Sequence, residues 1–440
     1  MEKIVSLCKR RGFVYQSSEI YGGLNSCWDF GPLGAELKRN IKDHWWRTMT
    51  HRRDDVEGLD AAILMHPQVW HTSGHVAGFT DPLVDCKECK ARFRLDQIEE
   101  AMCGSPAYKG RKAAKCHAEG KFTEPRQFNL MFKTFMGPVE EDASIIYMRP
   151  ETAQGIYVNF LNVQGPMRRK LPFGIAQIGK AFRNEISPGN FIFRSREFEQ
   201  MEMQFFVSPK EDQKWFDYWK QVRLDWYLDL GINKEKLRFH QHGPGELAHY
   251  AKDAYDIEYE FPFGWREFEG IHNRTDFDLG RHKEASGVDL TYFDEETRER
   301  FVPYIIETSA GADRTTLVAL VDGYKEEEVK GEKRVVISLD PRLAPIKAAI
   351  FPLVNRDGMD EIALNLTNDL RTKFKVFYDD KGAVGRRYRR MDEVGTPFCL
   401  TVDSQTLVDQ TVTVRHRDSM EQERLPMTGL AAWLEQRLKA

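Results

Sequence analysis

The segment REFEQMEMQFF, Arg196 to Phe206, alternates strictly. Gln200, Glu202 and Gln204 fall on one side of an extended chain, and Met201, Met203 and Phe205 on the other. Period two predicts a strand, and its apolar surroundings predict that both faces are covered. Carboxylates and amides on a covered face are costly unless they are paired or the face lines a cavity. The stretch therefore forms either a cross-strand ladder of mutually satisfied charges or the wall of a polar cavity for a charged ligand. The preceding GIAQIGKAFRNE, Gly174 to Glu185, reads as the partner strand and puts Arg183 and Glu185 on one face.

Further strand candidates, ASIIYMRP, KLRFHQH, YDIEYEFPFGWREFEGI and VPYIIETSA, are joined by loops rather than by regular crossover helices. That pattern predicts an α+β fold, a mostly antiparallel sheet with helices around it, and disfavours a dinucleotide-binding fold. After Gly31-Pro32, the residues Leu33, Leu37, Ile41, Trp45 and Met49 recur every fourth position and predict an amphipathic helix of about five turns. VEGLDAAILMHP, Val56 to Pro67, reads as a strand closed by proline, and EDQKWFDYWKQVRLDWYLDLG as a helix ended by Gly231.

At 440 residues the chain exceeds one core. The charged run DGYKEEEVKGEKR, Asp322 to Arg334, reads as a linker. Beyond it, strands such as KAAIFPLV, TPFCLTVD and TVTVRHRD alternate with the helices MDEIALNLTNDLRTK and GLAAWLEQRLK, which predicts a small α/β domain. The expected division is 1–84, a polar insertion at 85–121, a core at 122–325 and a final domain at 334–440.

A net charge of -4 argues against a surface that clings everywhere to polyanions, so such a partner must be met locally. MEKIVSLCKRRGFVY lacks the apolar core of a secretory signal, and no run reaches about 18 apolar residues, so a cytoplasmic protein without membrane contact is expected. The seven cysteines are scattered, which favours reduced thiols. Four of them, Cys86, Cys89, Cys103 and Cys116, fall in the insertion. Cys86 and Cys89 have zinc-ligand spacing, but Cys116 lacks a partner two residues on, so structural zinc is the less favoured of two outcomes.

Two more segments carry chemistry. IIETSAGADRTTLVAL, Ile305 to Leu320, runs from a strand through small residues into a helix with Arg314 in its first turn, a ready anion site. MRPETAQGIYVNF puts Glu151 at a strand-to-helix junction.

Phe182-Arg183-Asn184-Glu185 with Arg196-Glu197-Phe198, the turn Gly311-Ala312-Asp313-Arg314 and the helix and strand ending at Pro67 resemble motifs 2, 3 and 1 of class II aminoacyl-tRNA synthetases. YGGLNSCWDFGPLG, VWHTSGHVAGFTDPLVDC, EPRQFNLMFKT, RPETAQGIYVNF and GWREFEGIHNRTDFDL resemble the homodimeric type of glycyl-tRNA synthetase, along essentially the whole chain.

The resemblance implies a glycine-tRNA ligase that uses ATP and Mg2+, joins glycine to tRNA(Gly), and ends in an anticodon-binding domain. It implies that Arg183 holds the α-phosphate and the amino-acid carboxylate, that Arg194 or Arg196 and Arg314 hold the outer phosphates, and that Phe198 stacks on adenine. Asn184, Glu185, Phe193, Ser195, Glu197, Glu267, Phe268, Gly311, Ala312 and Asp313 complete the implied ATP site, and Glu307 is the implied magnesium ligand. The implied glycine pocket is built on Glu151, Glu202, Gln200 and Ser309, closed by Arg94. Phe198, Glu199, Met201, Glu307, Thr308, Ala310 and Gly311 lie around it. Catalysis would be positioning and electrostatics, with Arg183 and Arg314 central.

In the final domain, GRRYRRMDEVG reads as a loop whose Arg386, Arg387, Arg389 and Arg390 surround Tyr388. That combination meets tRNA phosphates and stacks on a base, or is simply a solvated charge run. In the dimer the helix from Leu33 and the strand before Pro67 would form the interface. A non-catalytic accessory subunit of the same fold is the alternative, and it should lack part of the ATP site.

Overall fold

The computed structural model describes residues 1–95, 98–99, 101–103, 112–186, 189–248 and 250–438. At its centre lie β1 (Val56–Gly58), β2 (Phe173–Phe182), β3 (Glu197–Val207), β4 (Leu237–Gln241), β5 (Asp253–Phe261), β6 (Gly264–Thr275) and β7 (Tyr304–Gly311). They form one sheet in the order β4-β5-β6-β7-β3-β2-β1, antiparallel throughout except where β1 runs parallel to β2. VEGLDAAILMHP contributes less strand than expected. The chain leaves the sheet after Gly58, and Pro67 opens the helix Pro67–Thr72, where its fixed φ and missing N–H suit the first helical position.

Register sets the two faces. Gln177, Glu202, Ser309 and Gly270 lie side by side on β2, β3, β7 and β6, and the next rung on the same face joins Ile175, Gln204, Glu307 and His272. The opposite face sends Ala176, Met201, Met203, Phe205, Ile271, Ile306 and Ala310 into the main apolar core. Helices α1 (Pro32–Trp46), α2 (Asp212–Asp229) and α3 (Ala312–Gly323) cover that face. As the spacing predicted, α1 buries Leu37, Ile41 and Trp45, and Met49 follows in a π-turn. Gly231, at φ 76°, ends α2. Farther along the polar face, Ile175, Phe206 and Ile305 become apolar and pack beneath the short helices Ala153–Tyr157 and Phe160–Gln164. The polar end of that face is left for the site.

The expected linker is instead a β-hairpin, Tyr324–Val329 paired with Glu332–Ile337. Its alternation turns Arg334 inward, where it donates to Asp392 Oδ2 at 2.9 Å and to the Arg417 carbonyl. The C-terminal sheet comprises β8 (Ala348–Pro352), β9 (Val376–Tyr378), β10 (Phe398–Val402), β11 (Thr411–His416) and β12 (Gln422–Pro426), in the order β9-β8-β10-β11-β12. Helices α4 (Met359–Arg371), α5 (Val384–Val394) and α6 (Leu430–Leu438) pack on it. The expected GRRYRRMDEVG loop is therefore α5, because Arg387, Met391 and Val394 recur at helical spacing and are all buried.

At the root of the insertion, Thr80–Asp85 and Arg126–Asn129, which flank it, make a small sheet with Arg92–Arg94 inside it. Cys86, Cys89, Cys103 and Cys116 gather in one apolar cluster with Val84, Phe93 and Phe122, as free thiols. Among the described residues no group of three or more His, Cys, Asp or Glu is arranged to hold a metal ion, and no helix is long and apolar enough to cross a membrane.

Candidate active site

The polar rungs open into a cavity lined by Glu151, Glu202 and Glu307, by Arg183, Arg194, Arg274 and Arg314, and by Phe198, Gln200, Tyr250, His272 and Ser309. Ladder and cavity thus coexist, since the carboxylates are held by neighbours and still face one space. Glu202 is 2% exposed. Its Oε1 accepts from Gln200 Nε2 (2.9 Å) and Ser309 Oγ (2.7 Å), and its Oε2 from Thr152 Oγ1 (2.5 Å). Burial, aided by the charges of Glu307 and Glu151, pushes this carboxyl up to about 8.

Its two neighbours are set the other way. Glu307 Oε1 accepts from Gln204 Nε2 (2.9 Å), while Oε2 lies 3.1 Å from Arg274 Nη1 and 2.9 Å from His272 Nδ1. Burial opposes its charge, but Arg274 and His272 hold it down at about 2. Glu151 accepts from Gln154 Nε2 (3.1 Å) and lies 3.4 Å from His75 Nε2. Burial again opposes ionisation, and His75 and Arg274 more than offset it, keeping this carboxyl well below the usual range. Arg274 is itself gripped by Asp278 at 2.8 and 3.1 Å, with its guanidinium 3.9 Å from the Tyr250 ring centre. Around neutral pH Glu151 and Glu307 are therefore ionised, while Glu202 is kept neutral.

The arginines are held by their inner atoms. Arg183 donates from Nε to the Pro150 carbonyl (3.0 Å), and its guanidinium lies 5.3 Å from the ring centres of both Phe79 and Phe198. Arg314, in the first turn of α3, donates from Nε to the Phe193 carbonyl and from Nη1 to the Glu267 carbonyl, each at 3.1 Å, and lies over the Phe193 ring. Burial of Arg194 disfavours its charge, with Glu185 Oε2 3.9 Å away as partial compensation. Glu185 Oε2, at the cavity wall, is buried with no hydrogen-bond partner among the described residues. An unanswered acceptor near an aromatic ring and two arginines fits a nucleotide, whose base carries donors.

Register moves several expected residues out of the cavity. Met201, Thr308 and Ala310 alternate onto the helix-covered face. Phe268 stays at the cavity wall, but as the extra residue of a β-bulge opposite Ile257 and Glu258 it turns its ring toward Tyr227 in the core. Ala312 joins the same core. Glu197 pairs outward with Lys180 at 2.6 Å, Asn184 donates its N–H to the Leu130 carbonyl, and Arg196 reaches the Asn25 carbonyl at 2.8 Å. Arg94 pairs with Asp81 at 2.8 Å on the insertion sheet and does not line the cavity. Phe193, Ser195, Glu267 and Gly311 do line it. Glu307 does not fit a metal ion as placed, since its Oε1 accepts from Gln204 and its Oε2 from the Arg274 guanidinium, a cation already on the carboxylate.

Residues 132–323 match the tRNA synthetase class II core domain (G, H, P, S and T), and residues 347–437 an anticodon binding domain. A glycine-tRNA ligase of Treponema denticola is 57% identical over all of this chain and 97% of its own length. Those of Thermobifida fusca and Borreliella burgdorferi are each 54% identical, over 100% and 99% of this chain and 98% and 97% of their own. The chain belongs to the glycine-tRNA ligase family.

Within this glycine-tRNA ligase scaffold, sequence reasoning had missed His75, Thr152, Gln154, Tyr250, His272 and Arg274. One signal was available: Gly270, His272 and Arg274 alternate in EGIHNRT exactly as Gln200, Glu202 and Gln204 do on β3. The others arrive from loops and helix starts, where no period marks them. In the anticodon-binding domain, Arg387 is 2% exposed and donates to the carbonyls of Pro352 and Asp379, a buried main-chain clamp rather than a surface cation. Tyr388 bonds Thr401 and packs its ring on Phe351. Arg386 is exposed, while Arg389 and Arg390 are half-buried beside Asp392 and Asp379.

Proposed function

We propose that this chain activates glycine with ATP and transfers it to tRNA(Gly). The glycine carboxylate attacks the α-phosphorus, pyrophosphate leaves, and glycyl-adenylate forms. A ribose hydroxyl at the tRNA 3′ end then attacks the carbonyl carbon and AMP leaves. The observation that carries this reading is the shared cavity in which ionised Glu151 and neutral-held Glu202 face the arginines Arg183 and Arg314. The carboxylates suit an ammonium group, and the arginines suit phosphates and a carboxylate. In this reading Arg183 bridges the α-phosphate and the amino-acid carboxylate, Arg194 and Arg314 take the outer phosphates, and Phe198 stacks on adenine. Magnesium belongs to the ATP that enters, because the Arg274 guanidinium already sits on Glu307 Oε2 in place of a metal cation. The enzyme works as a cytoplasmic homodimer through α1 and β1, and Arg386, Arg389 and Arg390 meet the tRNA.

Pyrophosphate exchange with each of the twenty amino acids tests this reading. Exchange with glycine is expected. Preference for serine or alanine would overturn the substrate, and exchange with none would favour the accessory-subunit alternative.

The pH dependence follows from Glu202. Its carboxyl titrates at about 8 in the empty site and is protonated at neutral pH, whereas an ammonium ligand favours the ionised form. Binding at pH 7 must therefore displace a proton, and the KM for glycine should fall as pH rises from about 6.5 toward 8.5, by at most about tenfold per pH unit. Glu202→Gln should flatten that slope. A wild-type KM that is constant over this range would show that Glu202 does not exchange its proton for the ligand.

A further inference from the structure

Behind the polar face, α1 buries a lysine against two carboxylates that adjoin the proposed ATP subsite. Lys38 is 6% exposed. Its Nζ lies 2.6 Å from Asp313 Oδ1 and 2.7 Å from Glu199 Oε2, over the Phe30 ring. Asp313 Oδ2 in turn accepts the backbone N–H of Glu199 at 2.7 Å. Lys42, one turn farther along α1, takes the other carboxylate oxygen, Glu199 Oε1, at 2.8 Å. Glu199 and Asp313 both lie at the cavity wall, as expected, and their carboxylates are held by α1.

Each is chained to a residue of the proposed ATP subsite. Glu199 follows Phe198 on β3, and Asp313 precedes Arg314 on α3. The ammonium of Lys38 thus ties α1 to both β3 and α3 by charge-assisted bonds. Burial opposes its charge, but Asp313 and Glu199 outweigh that and raise its proton affinity, and Glu199 is held at about 2. A buried cation with two buried partners sets geometry more than it adds stability.

We infer that Lys38 is a positioning residue for ATP. By fixing Glu199 and Asp313 from behind the sheet, it sets the spacing between the Phe198 ring and the Arg314 guanidinium. The glycine pocket is held separately, through Thr152, Gln200 and Ser309 on Glu202, and is not tied to Lys38. This inference rests on the ATP-dependent reading above.

The test is Lys38→Met in pyrophosphate exchange, with ATP affinity measured directly by calorimetry. The KM and Kd for ATP should rise by about tenfold to a hundredfold, as for an Å-scale misplacement of a substrate-holding group. The KM for glycine should move less than about threefold. A lower melting temperature with both KM values near wild type would overturn the positioning role and leave the proposed function intact. If Lys38→Met does not fold, Asp313→Asn, which keeps shape and the acceptor for the Glu199 N–H, is read the same way. A wild-type chain that binds ATP but exchanges with no amino acid would overturn the functional reading alone. The ATP Kd of the variant would still decide the role of Lys38. Failure of the wild type to bind ATP would sink both.

Discussion

Glu151→Ala should raise the KM for glycine in pyrophosphate exchange by about thirtyfold to several thousandfold, the span given by about 2–5 kcal/mol for truncating one partner of a buried charge pair. Glu151, Glu202 and Glu307 are not equivalent. Glu307 gives its charge to Arg274 and His272 and both oxygens to protein donors. Glu202 is neutral in the empty site and must lose a proton before it can balance an ammonium. Glu151 is already ionised, and the basic group nearest to it is the His75 ring, at 3.4 Å, rather than an arginine fork. An incoming ammonium therefore meets Glu151 first.

The same electrostatics predict how the loss depends on pH. The charge of Glu151 is one cause of the raised Glu202 carboxyl, so removing it lets Glu202 ionise at lower pH. The penalty of Glu151→Ala should then shrink below its full value, whereas Glu151→Gln with Glu202→Gln should exceed the sum of neither-compensated singles. A folded Glu151→Ala protein with a near-normal KM for glycine would remove Glu151 from the ammonium site.

What the sequence could disclose depended on whether a residue obeyed a period. Glu202 and Gln204 were separable from Met201 and Met203 because a strand alternates, and Leu37, Ile41 and Trp45 were legible as a buried stripe because a helix repeats. Phe268 was not. One bulged residue resets the alternation of β6, and no feature of GWREFEG announces it. Arg387 misled for a related reason: four arginines around a tyrosine look solvated in one dimension, and only helical winding turns one of them inward. Lys38 lay in the predicted helix but off its apolar stripe, so its burial became visible only once Asp313, 275 positions away, was brought beside it. Roles for individual residues came from family resemblance rather than from spacing, and geometry redistributes them. Glu199 and Asp313 become supports, and Glu307 becomes the acceptor for Arg274.

The second large effect concerns stability. Arg223 on α2 and Glu269 on β6 are both 0% exposed and joined by two hydrogen bonds of 2.5 and 3.1 Å, with the Tyr227 hydroxyl also donating to Glu269. Arg223 lies 4.7 Å from the Trp226 ring centre, and its Nη1 has no hydrogen-bond partner. The pair is thus fully desolvated and imperfectly satisfied. Two apolar residues of similar volume would serve stability about as well, but removing one partner strands a charge. Arg223→Met should accordingly destabilise the fold by about 3–5 kcal/mol, read from the urea midpoint at constant m. Adding Glu269→Leu should recover most of that loss, since the stranded carboxylate is then gone. Because Glu269 sits between the bulged Phe268 and Gly270 at the cavity wall, the single variant should also loosen the strand that carries His272. Its KM for ATP should then rise along with the loss of stability, and the double variant should keep the stability without fully restoring the KM. A single variant within about 1 kcal/mol of wild type would mean that water or Tyr227 satisfies Glu269 alone, and that Arg223 is not what fixes this strand.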